Sequence, residues 1–375
     1  MDNSASDRYE PNDVLHPGET VVEYMDFNAW SQNDLARRTG LTPKTISEIC
    51  NGKAPITPAT SLVLEKVFQR PAHLWLNLQR QYDEAAARRR FSAQSAEWKD
   101  WAATFPLAEM RKRKWINPKG ARFDVDALLA FLGVSSPASW ESVRGASHVA
   151  YRQTQAFKAS RESTAVWVRA TEHAASMLDV ASFDEQRLRS SIGALRRHTT
   201  MRADKIIEPV QAICAAAGVA VVWVPELKHM GISGCARWMT STKALIALTL
   251  RYKTDDQMWF TFFHELGHIL LHRKTCSFVI DNADESFSDG IVDPQMRRLE
   301  DEANRFAADT LIPPDALAMF VEINDFGNES ILQFAEDIGV GPGLVVGRLQ
   351  FEKLLKPHQG NAFKQILGFE IDEEA

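Results

Sequence analysis

Trp259-Phe-Thr-Phe-Phe-His-Glu-Leu-Gly-His-Ile-Leu-Leu271 is the stretch on which the reading turns. Its apolar residues recur with helical spacing, which predicts a strongly apolar helix from about Asp256 to His272. On a helix, His264 and His268 stand one turn apart on one face, so both imidazoles can reach a single Zn2+ ion. Glu265 projects beside them toward a water on that ion. Zinc lowers the pKa of such a water toward ~7, and Glu265 can take its proton during attack on a carbonyl carbon, then return it to the leaving amine. Glu265 is therefore the candidate catalytic base, and His264 and His268 are candidate metal ligands.

Two histidines leave a tetrahedral site short of one protein donor. The best source is Arg298-Leu-Glu-Asp-Glu-Ala-Asn-Arg-Phe-Ala-Ala-Asp309. On a helix, Glu300, Ala303, Asn304 and Ala307 share one face, and the small alanines allow close packing against the metal helix. Glu300 is favoured as the third ligand, with Glu302, on a different face, as its rival. Asn304 is placed to orient a ligand histidine. His272 adds another turn to the histidine face, but three ligands from one straight helix cannot surround a tetrahedral ion, so a structural role is expected. The third histidine of a metzincin would fall at Lys274, which excludes that arrangement. Cys235 and Cys276 read as buried, unreactive thiols.

Upstream of the helix, Ala220-Val-Val-Trp-Val224, Ser233 to Trp238 and Ala244-Leu-Ile-Ala-Leu248 read as short strands, giving an α+β domain with a small sheet from residue 201 to 320. Residues 321–375 return to helix. Residues 84–200 are rich in Ala, Arg, Glu and Trp, form a helical connecting region and carry no motif for chemistry. At the other end, residues 1–12 read as a flexible tail and residues 13–83 as short amphipathic helices. Ser31 caps one helix, which ends at Gly40. Thr42 caps the next, with Pro43 at its first position and Ile46 and Ile49 as its buried stripe, and Asn51-Gly52 closes it. Two short helices around a glycine turn spell helix-turn-helix. The fold class is thus multidomain: an all-α helix-turn-helix domain, a helical middle segment and a zincin-like α+β domain.

Composition narrows the function classes. The 375 residues are too many for one ordinary core. A net charge of -6 argues against coating nucleic acid by bulk electrostatics, so any DNA contact must be site-like. The four cysteines form no C-x-x-C pair, which suits a reducing, cytoplasmic location. No apolar run approaches membrane-spanning length, and the polar, acidic N-terminus resembles no export signal, so no membrane partner is expected.

Two resemblances sharpen this reading. His264-Glu-Leu-Gly-His268, then Glu300-Asp-Glu-Ala-Asn-Arg-Phe-Ala307 and Leu311-Ile-Pro313, resemble the ImmA/IrrE-type zinc endopeptidases across about residues 201–320, and that resemblance makes Glu300 the glutamate ligand. His16-Pro-Gly-Glu19, Trp30-Ser-Gln-Asn-Asp-Leu-Ala36, Thr42-Pro-Lys-Thr-Ile-Ser-Glu-Ile49, Asn51-Gly-Lys53 and Pro55-Ile-Thr-Pro58 resemble the Xre-type helix-turn-helix domains of HigA-like antitoxins. The fusion resembles bacterial and phage regulators that join operator binding to a peptidase, with repressor or antitoxin proteins as substrates.

The second helix of a helix-turn-helix enters the major groove. Lys44, Thr45, Ser47 and Glu48 are the candidate base-reading residues, and Gln32 with its helix N-terminus suits a phosphate. The expected partners are a double-stranded DNA operator, a repressor or antitoxin as protein substrate or else a toxin, and a second copy of the chain in a homodimer. The expected function is a DNA-binding transcriptional regulator with zinc-dependent endopeptidase activity, connected with toxin-antitoxin control or stress response. The alternative is an antitoxin-like repressor whose zinc domain is a non-catalytic sensor or partner-binding module. Latent activity joins the two, with Ser277 to Asp293 as an acidic loop over the cleft.

Overall fold

The computed structural model describes residues 14–117, 124–143, 161–228, 230–249, 254–273, 278–282 and 294–367, without the side chains of 203, 278–282 and 296. It divides into two compact units, Met1–Lys99 and Asp100–Ala375. The expected lid over 277–293 falls outside the described residues except for the backbone of 278–282, which is strand rather than loop.

The first unit holds α1 (Pro17–Phe27), α2 (Gln32–Thr39), α3 (Pro43–Cys50), α4 (Pro58–Phe68) and α5 (Ala72–Glu97). Local chemistry sets the α2–α3 corner. Ser31 accepts from the Asp34 amide while Asp34 accepts from the Ser31 amide, a reciprocal cap that satisfies two otherwise orphaned donors. Gly40 ends α2 at φ 72°, a conformation open to glycine without a Cβ penalty. Thr42 then caps α3 through the Thr45 amide at 3.1 Å. Leu35, Ala36, Ile46 and Ile49 turn inward onto Val21, Leu64 and Trp75. Helix α5 is continuous through residue 84, where the sequence alone suggested a boundary.

In sequence order, α6 (Lys99–Ala103) starts at the division between the units. The second unit continues with α7 (Leu107–Lys112), α8 (Asp124–Leu132), α9 (Arg161–Ser176), α10 (Glu185–Arg197) and α11 (Ile207–Ala216). The sheet follows, with β1 (Val219–Trp223), β2 (Ile232–Thr240) and β3 (Lys243–Leu248), then α12 (Asp255–Leu271) and the last strand, β4 (Phe278–Asn282). The chain ends with α13 (Pro294–Leu311), α14 (Pro314–Ile323), α15 (Asn328–Ile338) and α16 (Pro342–Phe351). Strand order is β1-β3-β2-β4, with β1 parallel to β3 and β2 antiparallel to both neighbours.

Strands β1 and β3 are apolar on both faces because both are covered. Gly234 of β2 faces Thr261 and Glu265 of α12. Arg237, three residues on and so on the opposite face, pairs with Glu172 of α9. Helix α12 is buried almost all round, as expected of a helix through the middle of a core. One hydrophobic core runs from Leu188 to Leu367 and includes α14 to α16. Among the described residues, no helix is long and apolar enough to cross a membrane.

Candidate functional site

Helix α13 packs along α12 because both present small residues where they meet. A methyl group at Gly267 would stand 3.3 Å from the Ala303 Cα, and Ala303 and Ala307 are fully buried. This close approach brings one carboxylate of α13 to two imidazoles of α12. The His264 Nε2 and His268 Nε2 atoms are 2.9 Å apart, and Glu300 Oε2 lies 3.2 Å from the first and 3.6 Å from the second. Burial alone would raise the Glu300 pKa, but hydrogen bonds to the two histidines outweigh it and hold the carboxyl down at about 2. Burial, foremost, lowers the His268 pKa, leaving a neutral imidazole with a lone pair to offer.

These three atoms are the His264, His268 and Glu300 set anticipated from spacing, and they fit a metal ion. A tetrahedral zinc with bonds of 2.0–2.2 Å separates its ligand atoms by about 3.3 Å, close to the distances present. Three lone-pair atoms facing one another repel unless a cation or a proton lies between them.

Glu265 is fully buried, directly beside His264 in the chain, with its carboxylate against β2. Asn304 Oδ1 lies 2.9 Å from His264 Nδ1. Glu302, the rival ligand, does not join the cluster. Its Oε2 lies 2.9 Å from His272 Nε2, and His272 Nδ1 lies 3.1 Å from His268 Nδ1. The sequence held a partial signal for this pairing, since His272 extends the histidine face, but only the packing of α13 reveals its partner. Cys235 is fully buried, and burial, then the Glu265 charge, pushes its thiol pKa well up, which disfavours a thiolate ligand. Cys276 lies outside the described residues.

On the opposite face of the sheet, a cavity of about 780 Å³ is lined by Trp115, Phe131, Arg169, Glu172, His173 and Arg237 among others. None of the anticipated site residues lines it.

In the first unit, Lys44 and Thr45 lie in the first turn of α3, Ser47 and Glu48 in its second half, and Gln32 at the start of α2. The Lys44 side chain is 83% exposed and makes a loose ion pair with Glu48 at 3.8 Å, the kind that water and salt readily open. Thr45 Oγ1 lies 2.8 Å from Thr42 Oγ1, and Ser47 Oγ accepts from Asn51 Nδ2 at 3.2 Å. Both hydroxyls are thus partly committed to the helix itself. Gln32 is half-buried at the first position of α2.

Comparison with known proteins agrees with this division. A helix-turn-helix family model matches residues 28–75, and an IrrE N-terminal-like domain of the peptidase M78 family matches residues 235–350. An uncharacterised HTH-type transcriptional regulator, YddM of Escherichia coli, is 34% identical over 71 residues, 19% of this chain and 76% of its own. Virulence-associated protein I of Dichelobacter nodosus is 37% identical over 71 residues, 19% of this chain and 66% of its own. Among solved structures, an addiction module antidote protein of the HigA family from Coxiella burnetii is 33% identical and covers 22% of this chain and 91% of its own, with a TM-score of 0.21. The chain belongs to the helix-turn-helix regulators through its first unit and carries a peptidase M78 domain in its second. It is a DNA-binding regulator with a metallopeptidase-type domain.

Proposed function

We propose that this regulator is a zinc-dependent endopeptidase that cleaves a repressor or antitoxin protein while bound, as a homodimer, to an operator. The observation that carries the reading is the convergence of His264 Nε2, His268 Nε2 and Glu300 Oε2, with the fully buried Glu265 next to His264 in the chain. A purely structural site commonly closes all four positions with protein ligands and has no use for a base at its edge. Among the described residues three ligands come from protein, and a carboxylate follows the first ligand directly in sequence.

When bound, zinc supplies Lewis acidity that polarises the scissile carbonyl and makes water a competent nucleophile near neutral pH. The remaining work belongs to the chain. Glu265 takes the proton from the attacking water and donates it to the departing amine. Its burial leaves few competing water contacts for that carboxylate. Asn304 keeps the His264 ring in place from the far side. In the first unit, Gln32 and the α2 N-terminus hold a phosphate, Lys44 meets a phosphate or a guanine, and Thr45, Ser47 and Glu48 read neighbouring base edges.

Metal analysis of the purified full chain tests the site. One zinc per chain is expected, and Glu300→Ala should lower affinity by at least ~10-fold. A wild-type protein that binds no zinc, or a Glu300→Ala variant that binds it as tightly, would overturn the assignment.

A further inference from the structure

We propose that Glu302 and His272 form a hydrogen-bonded relay that fixes the tautomer of His268, so that α13 both supplies a ligand and sets the ligand atoms offered by α12. The inference rests on the zinc-site reading above and adds to it two positioning residues.

The relay follows from donor and acceptor arithmetic. An ionised carboxylate has no hydrogen to give, so across the 2.9 Å between His272 Nε2 and Glu302 Oε2 the imidazole donates. A neutral imidazole with its hydrogen on Nε2 has a lone pair on Nδ1. Across the 3.1 Å to His268 Nδ1, His272 therefore accepts and His268 donates. With its hydrogen on Nδ1, His268 presents the Nε2 lone pair to Glu300 and His264, where a metal ligand must present it. Without an acceptor at Nδ1, the other tautomer would compete, with a hydrogen on Nε2 and no lone pair for a metal.

His264 is held by the same logic through a shorter route. Its Nδ1 donates to Asn304 Oδ1, which leaves its Nε2 facing the same point. Thus α13 uses Glu300 directly, Glu302 through His272, and Asn304 against His264. The geometry also explains why two carboxylates so close in sequence are not interchangeable. Glu300 is half-buried at the cluster, whereas the Glu302 side chain is 58% exposed and reaches His272 from the solvent side. His272 itself is buried, so its ring orientation is set by packing as well as by its two hydrogen bonds.

The test uses the full chain, zinc titrated against a competing chelator, and long-range ¹H–¹⁵N spectra of ¹⁵N-histidine-labelled, zinc-loaded protein. His272→Phe keeps a flat ring but offers no acceptor, and it should weaken zinc binding by about 10–100-fold with one site still present. Glu302→Ala, at an exposed position where folding is not at stake, should weaken it by about 10-fold, and Glu302→Gln, whose amide oxygen still accepts, should restore most of the loss. In the wild type, His272 should carry its hydrogen on Nε2. Wild-type zinc affinity in both His272→Phe and Glu302→Ala, or a His272 hydrogen on Nδ1, would overturn the relay and leave the metal site standing. Loss of the site in Glu302→Ala with retention in Glu300→Ala would make Glu302 the ligand and overturn both readings.

Discussion

Gly234 of β2 lies directly against Glu265 of α12: a methyl group in place of its hydrogen would stand 2.7 Å from Glu265 Oε1 and 2.6 Å from Thr261 Cγ2. The sheet and the metal helix can approach this closely only because β2 has no side chain at that position. The same closeness covers Glu265 from the β2 side, and its side chain is fully buried.

Gly234→Ala should therefore destabilise the second unit by about 1–3 kcal/mol, the usual cost of overpacking a filled core. Adding Thr261→Ser removes the nearer methyl but leaves the clash with Glu265, so the double variant should recover only part of the loss. Denaturant melts of the two proteins check this. A neutral Gly234→Ala would mean that β2 and α12 are not in such close contact.

A second prediction concerns the buried start of α12. Burial, foremost, raises the Asp255 pKa to about 6, against an ordinary value of 3.8. The raised value means that the folded state prefers the protonated form. Between about pH 4 and pH 6 the unfolded chain gives up this proton while the folded chain keeps it, so the group costs stability as pH rises through that window, and the cost is complete above it. Asp255→Asn retains an oxygen to accept from the Gln365 and Asp256 amides, at 2.9 and 3.0 Å in the wild type. It should be more stable than the wild type at pH 7 by about 1–3 kcal/mol, with the difference shrinking toward pH 4. Urea midpoints at the two pH values supply the check, and a difference independent of pH would contradict the argument.

At the DNA end, Lys44→Ala and Gln32→Ala should each weaken binding to an operator near the protein's own promoter. If Lys44 meets a phosphate, its loss shrinks the salt slope by about 1. If it meets a guanine, the loss costs about 1–3 kcal/mol at a single base pair. Gel shifts on tiled promoter fragments across a salt series separate the two. An intact protein that prefers no fragment over random DNA would turn this unit into a docking or dimerisation module.

The parts of the molecule that were legible in sequence are those whose signals are local. Ser31, Gly40, Thr42 and Pro43 announce the α2–α3 corner because caps and turns depend on neighbouring residues. The pairing of His264 with His268 is a property of one helix, and the small face of Ala303 and Ala307 anticipated the contact with α12. Strand β4 was missed because Phe278–Asn282 extends only by pairing with β2, far away in sequence. The link from Glu302 to His272 was missed for the same reason, since it depends on how two helices meet. In the middle region, Trp167 donates to the Val224 carbonyl and Arg237 pairs with Glu172, contacts that leave no periodic mark.

The central claim is that Glu265 acts as a base in peptide cleavage, and the direct measurement is the intact mass of a regulator or toxin encoded beside this gene, co-expressed with wild type or Glu265→Gln, with and without DNA damage. The amide keeps the shape and should keep zinc, but it cannot accept a proton, so cleavage should fall by about 10²–10⁴-fold while metal content is unchanged. Fragments in the wild type and none with Glu265→Gln are the predicted result. Equal fragments with both proteins, or none with either under any inducing condition while operator repression stays intact, would contradict the account and favour an antitoxin-like repressor with a non-catalytic zinc domain.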